Sequence, residues 1–267
     1  MTIQPNPKWR GDPTFLPEVL RAFGVKVVEA PSWKEYGHGD FGAIQGIVVH
    51  HIGSNVYHWS NIQRHPTLGL CSQIHLSRSG VATLVGAGIA WHAGKGNKAG
   101  WPTDDANRVS IGIEAESDGV SAWPAAELDA YYHICAAILW FLGKRATTTT
   151  LISHWEYSQH VQGKWDPGAG NGRSGAVMEM NTFRAKVNHY IDNPPFKKKE
   201  VPELAFDEIK RRYTSRVGGS KTTMRPIDAL LNADAHAFYA RSTSERIEKE
   251  QKAQRALLEQ IAKKVGL

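Results

Sequence analysis

Apolar and polar positions follow two different periods along this chain. Gly46-Ile-Val-Val-His50 is short, β-branched and bounded by glycine, which predicts a buried strand ending in a histidine. Ser72-Gln-Ile-His-Leu-Ser77 alternates, Ser79-Gly80 marks a turn, and residues 81–85 return, so a hairpin is predicted there. Ser110-Ile-Gly-Ile-Glu-Ala-Glu116 alternates again. Ile111, Ile113 and Ala115 face one way, and Ser110, Gly112, Glu114 and Glu116 face the other. Residues 147–152 read as a further short strand. Leu128, Tyr131, Tyr132, Cys135, Ile138, Leu139 and Leu142 recur at helical spacing, which predicts a helix over 125–142 stopped by Gly143. Residues 17–23, with proline in the first turn, and residues 177–191 predict two more helices.

The pattern changes after Pro194-Pro195 and Lys197-Lys-Lys199, which read as a linker over 193–200. Beyond it, residues 202–213 predict one helix, Gly218-Gly219-Ser220 a break, and residues 226–265 one long helix or two. Ile247, Leu258, Ile261 and Val265 fall on a heptad-like face that Gln251 and Gln254 interrupt. Residues 1–40, with proline at 5, 7, 13, 17 and 31, read as an extension packed on a domain spanning 41–192.

Charge separates the same regions. Residues 1–196 carry 16 Lys and Arg against 16 Asp and Glu, whereas residues 197–267 carry 16 against 10, so the whole net charge of +6 lies in the tail. Such a tail suits an anionic polymer, although its interleaved Glu245, Glu248 and Glu250 argue against a simple polyanion grip, and no nucleic-acid partner is expected. A cell-wall-binding or oligomerisation role is the expectation for 201–267. The remaining composition, 41% hydrophobic and 22% charged, is that of a globular protein. Cys71 and Cys135 both lie in apolar stretches and read as buried free thiols. The first residues lack the apolar core of a signal peptide, and no run reaches the ~18 apolar residues of a membrane span. The expectation is synthesis in a cytoplasm.

Histidine carries the chemistry. Ten of the twelve lie between 38 and 160. Zinc prefers imidazole, thiolate and carboxylate ligands, and a catalytic zinc keeps three protein ligands and one open position. Three places offer such ligands: His50-His51 at a strand end, His154 just after a short apolar stretch, and Asp166 in Lys164-Trp-Asp-Pro-Gly168. Strand alternation lets only one of His50 and His51 face a metal. Lys164 is a cation suited to stabilising an oxyanion beside it. Each feature alone is equally well read as a surface or strand-end residue.

Taken in order, the features are more specific. His50, then Ala90-Trp-His-Ala-Gly94, Ser110-Ile-Gly-Ile-Glu114, His154 and Lys164-Trp-Asp-Pro-Gly168 resemble the zinc-dependent N-acetylmuramoyl-L-alanine amidases of the type 2 class, a family that includes peptidoglycan recognition proteins and phage endolysins. The resemblance runs from about residue 44 to 190. It implies an α/β fold, a mixed central β-sheet flanked by helices, here followed by a small α-helical C-terminal region. It implies zinc on His50, His154 and Asp166, with Glu114 as general base, Lys164 as oxyanion stabiliser, and His75, Trp91 and His92 in a substrate cleft. Glu116 competes with Glu114 for the base, and Trp101 joins Trp91 as a candidate groove residue. The implied reaction is hydrolysis of the amide between N-acetylmuramic acid and L-alanine in peptidoglycan, in a phage lysin released to the wall. The alternative is a module that binds peptidoglycan without cutting it.

Overall fold

The computed structural model describes residues 3–196, 213–214, 223–224, 243–244, 247–252 and 255. Residues 1–198 and 199–267 form two separate units. In the first, six strands form one sheet: β1 (Lys26–Glu29), β2 (Gly46–His51), β3 (Ile74–Leu76), β4 (Val81–Leu84), β5 (Ser110–Ala115) and β6 (Leu151–Ser153). Their order is β1-β4-β3-β5-β2-β6. Only β3 and β4 run antiparallel, as a hairpin, and every other pair is parallel. The sheet is therefore mixed and central, as expected.

The period of two within the strands sorts the residues onto two faces. Ile47, Val49, Ile74, Leu76, Ile111, Ile113, Ala115 and Leu151 enter the main core. There they meet α1 (Leu16–Ala22), α3 (Ala125–Phe141) and α5 (Met180–Asp192). Val48 and Ile152 enter a smaller cluster on the opposite face with Ala93, Trp101, Ala106 and Tyr157. Tyr157 belongs to α4 (His154–Gln162), and a short helix α2 (Ser60–Gln63) lies between β2 and β3. Central strands with both faces covered read as near-continuous apolar runs, which is why Gly46-Ile-Val-Val stood out.

Several boundaries differ from the sequence reading. Residues 147–150 form a turn closed by Thr150 N–H on the Thr147 carbonyl, and the strand begins only at Leu151. The fifth helix starts at Met180, because the Glu179 carboxylate caps the N–H groups of Asn181 and Thr182. Residues 3–40 are more than an extension: they supply α1 and the edge strand β1. β1 has only four residues, three of them exposed, and so shows no periodicity. The helix α4 also escaped the apolar pattern. Its start signal is Ser153-His-Trp-Glu156, a capping box in which the Ser153 hydroxyl accepts from Glu156 N–H and the Glu156 carboxylate accepts from Ser153 N–H. Cys71 and Cys135 are unpaired.

In the second unit, Tyr213–Thr214 pairs antiparallel with Thr223–Met224. Tyr213 therefore ends in a strand and not in the helix expected over 202–213, in keeping with the strand preference of Tyr and Thr. Residues 243–244, 247–252 and 255 are helical, with Ile247 exposed. The rest of the expected 226–265 helix lies outside the described residues. None of the described helices is long and apolar enough to cross a membrane.

One contact ties the core to the other face of the sheet. The Tyr131 hydroxyl, fully buried on α3, accepts from His50 N–H at 2.9 Å and points its own proton at the carbonyls of His50 (2.9 Å) and Ile113 (3.2 Å). Tyr131→Phe strands a buried N–H, which costs about 1–3 kcal/mol. Chemical denaturation is expected to show that loss with an unchanged m-value, and equal stability of the two proteins would contradict it.

Candidate metal centre

His50 sits near the C-terminal end of β2, in register with Glu114 of β5, while the pairing of β2 with β6 ends one residue earlier at Val49. His154 is the first residue of α4, directly after β6, and the capping box sets its direction. Asp166 lies in the turn after α4, where its carbonyl accepts from Trp155 N–H at 2.9 Å. Gly168 N–H donates to His51 Nδ1 at 2.9 Å, and the Trp165 ring packs edge-on against His51 at 4.7 Å. His51 thus anchors the Asp166 turn with the atom that would otherwise bind a metal. Gly119 leaves room for this packing, since a side chain there would meet His51 and Trp165 at 2.2–2.6 Å.

These elements bring three donor atoms together. His50 Nδ1, His154 Nδ1 and Asp166 Oδ2 lie 3.0 Å from one another on all three sides, and all three residues are buried. Among the described residues they form the one group with metal-ligand character. The spacing suits a tetrahedral zinc, whose ~2.0–2.1 Å bonds separate neighbouring ligands by about 3.3 Å. Proton positions support the same reading. His154 Nε2 donates to the Ala93 carbonyl at 3.0 Å, so its Nδ1 carries a lone pair. His50 Nε2 lies 3.1 Å from His92 Nδ1. If His50 Nε2 carries a proton as well, no proton remains between the three converging atoms. Such a convergence suits a bound cation.

The electrostatics agree. Burial, then the neighbouring His154, pushes His50 down to about 4, so its imidazole is neutral near pH 7. Burial pushes the Asp166 carboxyl up, but His154 and His50 beside it more than offset this and hold it below the usual carboxylate range. Glu114 is raised well above its ordinary value by burial first and Asp166 second, with Lys164 opposing. Its Oε1 is 4.0 Å from His50 Nδ1, and its Oε2 is buried without a hydrogen-bond partner among the described residues. A carboxyl so placed can exchange a proton with a group bound at the triad.

Around the triad lies a cavity of about 340 Å³ lined by Tyr57, Trp91, Glu114 and Lys164 among others. A second hollow of about 350 Å³ shares Leu68, Trp91, His92, His154 and Lys164 with it, so the two adjoin. Trp91 is 38% exposed and stacks on His38 with centroids 4.6 Å apart and planes 15° from parallel. Trp101 lies elsewhere: it is buried in the smaller cluster, with its Nε1 donating to the Thr148 carbonyl. His75 pairs in register with Glu114 on β3, is buried, and faces Glu116 at 3.2 Å instead of lining either hollow. Glu116 also accepts from Tyr57 N–H and Arg78 N–H, which occupies it structurally and leaves Glu114 nearer the triad.

Two contributors went unnoticed in the sequence. Asn107 Oδ1 accepts from both His92 N–H (3.0 Å) and Ala93 N–H (2.8 Å). Gln73 Oε1 accepts from Gly112 N–H at 2.6 Å while its amide donates to the Gly88 carbonyl. Both are buried amides, whose partners are set by tertiary packing, and no local spacing announces them.

Residues 40–169 match the family described as N-acetylmuramoyl-L-alanine amidase. No curated protein matches the chain. Similar solved structures include a selenomethionine derivative of AmpD, at 20% identity and TM-score 0.45, with 61% of this chain and 93% of that one covered. A second is the endolysin LysCS, an N-acetylmuramoyl-L-alanine amidase from Clostridium intestinale, at 17% identity and TM-score 0.41, covering 61% and 95%. A third is AmiD from E. coli, solved with an anhydro-N-acetylmuramic acid peptide, at 16% identity and TM-score 0.43, covering 55% and 58%. By the match of its own sequence, the stretch of the chain over residues 40–169 is similar to the N-acetylmuramoyl-L-alanine amidase family.

Proposed function

We propose that the protein is a zinc-dependent hydrolase of the amide between N-acetylmuramic acid and L-alanine in peptidoglycan, acting as a phage lysin. The observation that carries the metal is the triangle of donor atoms with both outer imidazole nitrogens engaged elsewhere. His50, His154 and Asp166 would hold the zinc, and their single carboxylate leaves a divalent ion with net positive charge. Bound there, zinc makes a coordinated water acidic and polarises a carbonyl oxygen.

The residues of the chain supply the remaining steps. Glu114 takes a proton from the attacking water through its carboxylate and returns it to the amine nitrogen as the carbon–nitrogen bond breaks. Its raised affinity for protons suits it to both roles, because the ideal acid–base group titrates near the working pH. The Lys164 ammonium lines the same cavity and offers positive charge where the amide oxygen becomes negative. Trp91, held flat by His38, presents an aromatic face to a substrate ring or stem peptide. The two adjoining hollows suit a substrate larger than the bond that is cut. A binding-only module would need neither a partnerless buried Glu114 nor three lone pairs facing one another.

His154→Ala is expected to abolish both zinc retention and the appearance of new L-alanine amino termini on purified peptidoglycan. A wild-type protein that holds about one zinc and cuts, beside a variant that does neither, supports the reading. Wild-type protein that binds the wall but contains no zinc and cuts nothing returns the chain to the binding class. Glu114→Gln keeps the shape and removes the proton carrier. It is expected to lower kcat by about 10²–10⁴-fold with zinc content unchanged. A loss of less than tenfold would move the base elsewhere.

The basic tail is proposed to hold the enzyme on the cell wall. In a sedimentation assay the full chain is expected to pellet with walls at low salt and to be released by added salt. Residues 1–196 alone are expected to stay in solution, and equal pelleting of the two would remove the tail from wall binding.

A further inference from the structure

His92 lies at the cavity edge but is only 6% exposed, and both of its ring nitrogens face protein atoms. Its Nε2 is 3.2 Å from the Ser110 carbonyl, which only accepts, so the proton of His92 sits on Nε2. Its Nδ1 is then an acceptor. The atom 3.1 Å away is His50 Nε2, which must therefore be the donor. That leaves His50 Nδ1 unprotonated and aimed at His154 and Asp166. The neighbouring residue does the same for the second histidine, since the Ala93 carbonyl accepts from His154 Nε2.

The segment carrying these two acceptors is itself fixed. Asn107 holds both its N–H groups, and the His92 ring rests on Gly112 of β5. A Cβ at Gly112 would stand 2.7 Å from His92 Cγ and Cδ2, too close for the ring to stay.

On the metal reading above, we infer that His92 is a positioning residue: it fixes the tautomer of His50 so that Nδ1 presents its lone pair to the metal. The imidazole chain Ser110 carbonyl, His92, His50 is one support, and the Ala93 carbonyl behind His154 is the other. Ligand histidines depend on such outer partners, whose loss costs about 10–100-fold in metal affinity. His92 offers the substrate nothing but ring carbon.

The test compares His92→Phe, which keeps a ring without an acceptor, with His92→Asn, whose Oδ1 can stand where Nδ1 was. Zinc affinity is read by competition with a chromophoric chelator, and the His50 tautomer by nitrogen-15 NMR on the metal-free full chain. The expected result is a single Nε2–H tautomer of His50 in the wild type and a mixture in His92→Phe. Zinc binding should weaken by about 10–100-fold in His92→Phe and recover at least in part in His92→Asn. Gly112→Ala, which displaces the ring without touching a ligand, should weaken zinc binding in the same direction. The inference is overturned if His92→Phe binds zinc within twofold of wild type with the His50 tautomer unchanged, whatever happens to activity. A wild type that takes up no zinc would defeat the metal reading, while the tautomer measurement would still decide the role of His92.

Discussion

Three donor atoms, one on each of His50, His154 and Asp166, are held 3.0 Å apart inside protein, and most of what surrounds them serves to keep them there. Pairing with β5 through His50, and with β6 up to Val49, holds the end of β2 in place. The Tyr131 hydroxyl pins the His50 peptide from behind, across the sheet, so the main core and the metal centre share one residue's backbone. The capping box aims His154, and the His51–Gly168 contact returns the turn that bears Asp166. Each of these contacts adds little stability by itself. Together they orient the three donors in advance, which on the proposed reading spares a metal the cost of ordering them.

The parts of this arrangement that sequence disclosed are those set by local pattern. A buried strand ending in histidine, an alternating strand bearing Glu114 and an apolar helix over 125–142 each follow from neighbours a few residues away. The ligand set emerged only from the order of five short motifs, since neither His154 nor Asp166 is distinctive alone. Alternation narrows the choice between His50 and His51, and in space it is His50 that converges with His154 and Asp166 while Gly168 N–H donates to His51. What stayed hidden depends on contacts between distant residues. Asn107, Gln73 and Tyr131 act through hydrogen bonds spanning 14 to 81 positions. Trp101 and Trp91 have the same composition signal, yet one is buried and the other stacks at the groove edge. The capping box before α4 was the exception: Ser-x-x-Glu was written in the chain and readable.

β5 shows how a short motif can carry several duties at once. In Ser110-Ile-Gly-Ile-Glu114 the period of two puts Ser110, Gly112 and Glu114 on the site face, spread over about 13 Å at the ~3.3 Å rise of a strand. The Ser110 carbonyl accepts from His92, Gly112 gives the His92 ring its seat, and Glu114 reaches the triad beside His50. Ile111 and Ile113 meanwhile lock the opposite face into the core. A shift of this strand by one residue would expose the isoleucines to the groove and bury the carboxylate in the apolar layer. Register therefore controls the site directly here: the same hydrophobic alternation that fixes the strand in the sheet sets Glu114 and the seat of the His92 ring in one line.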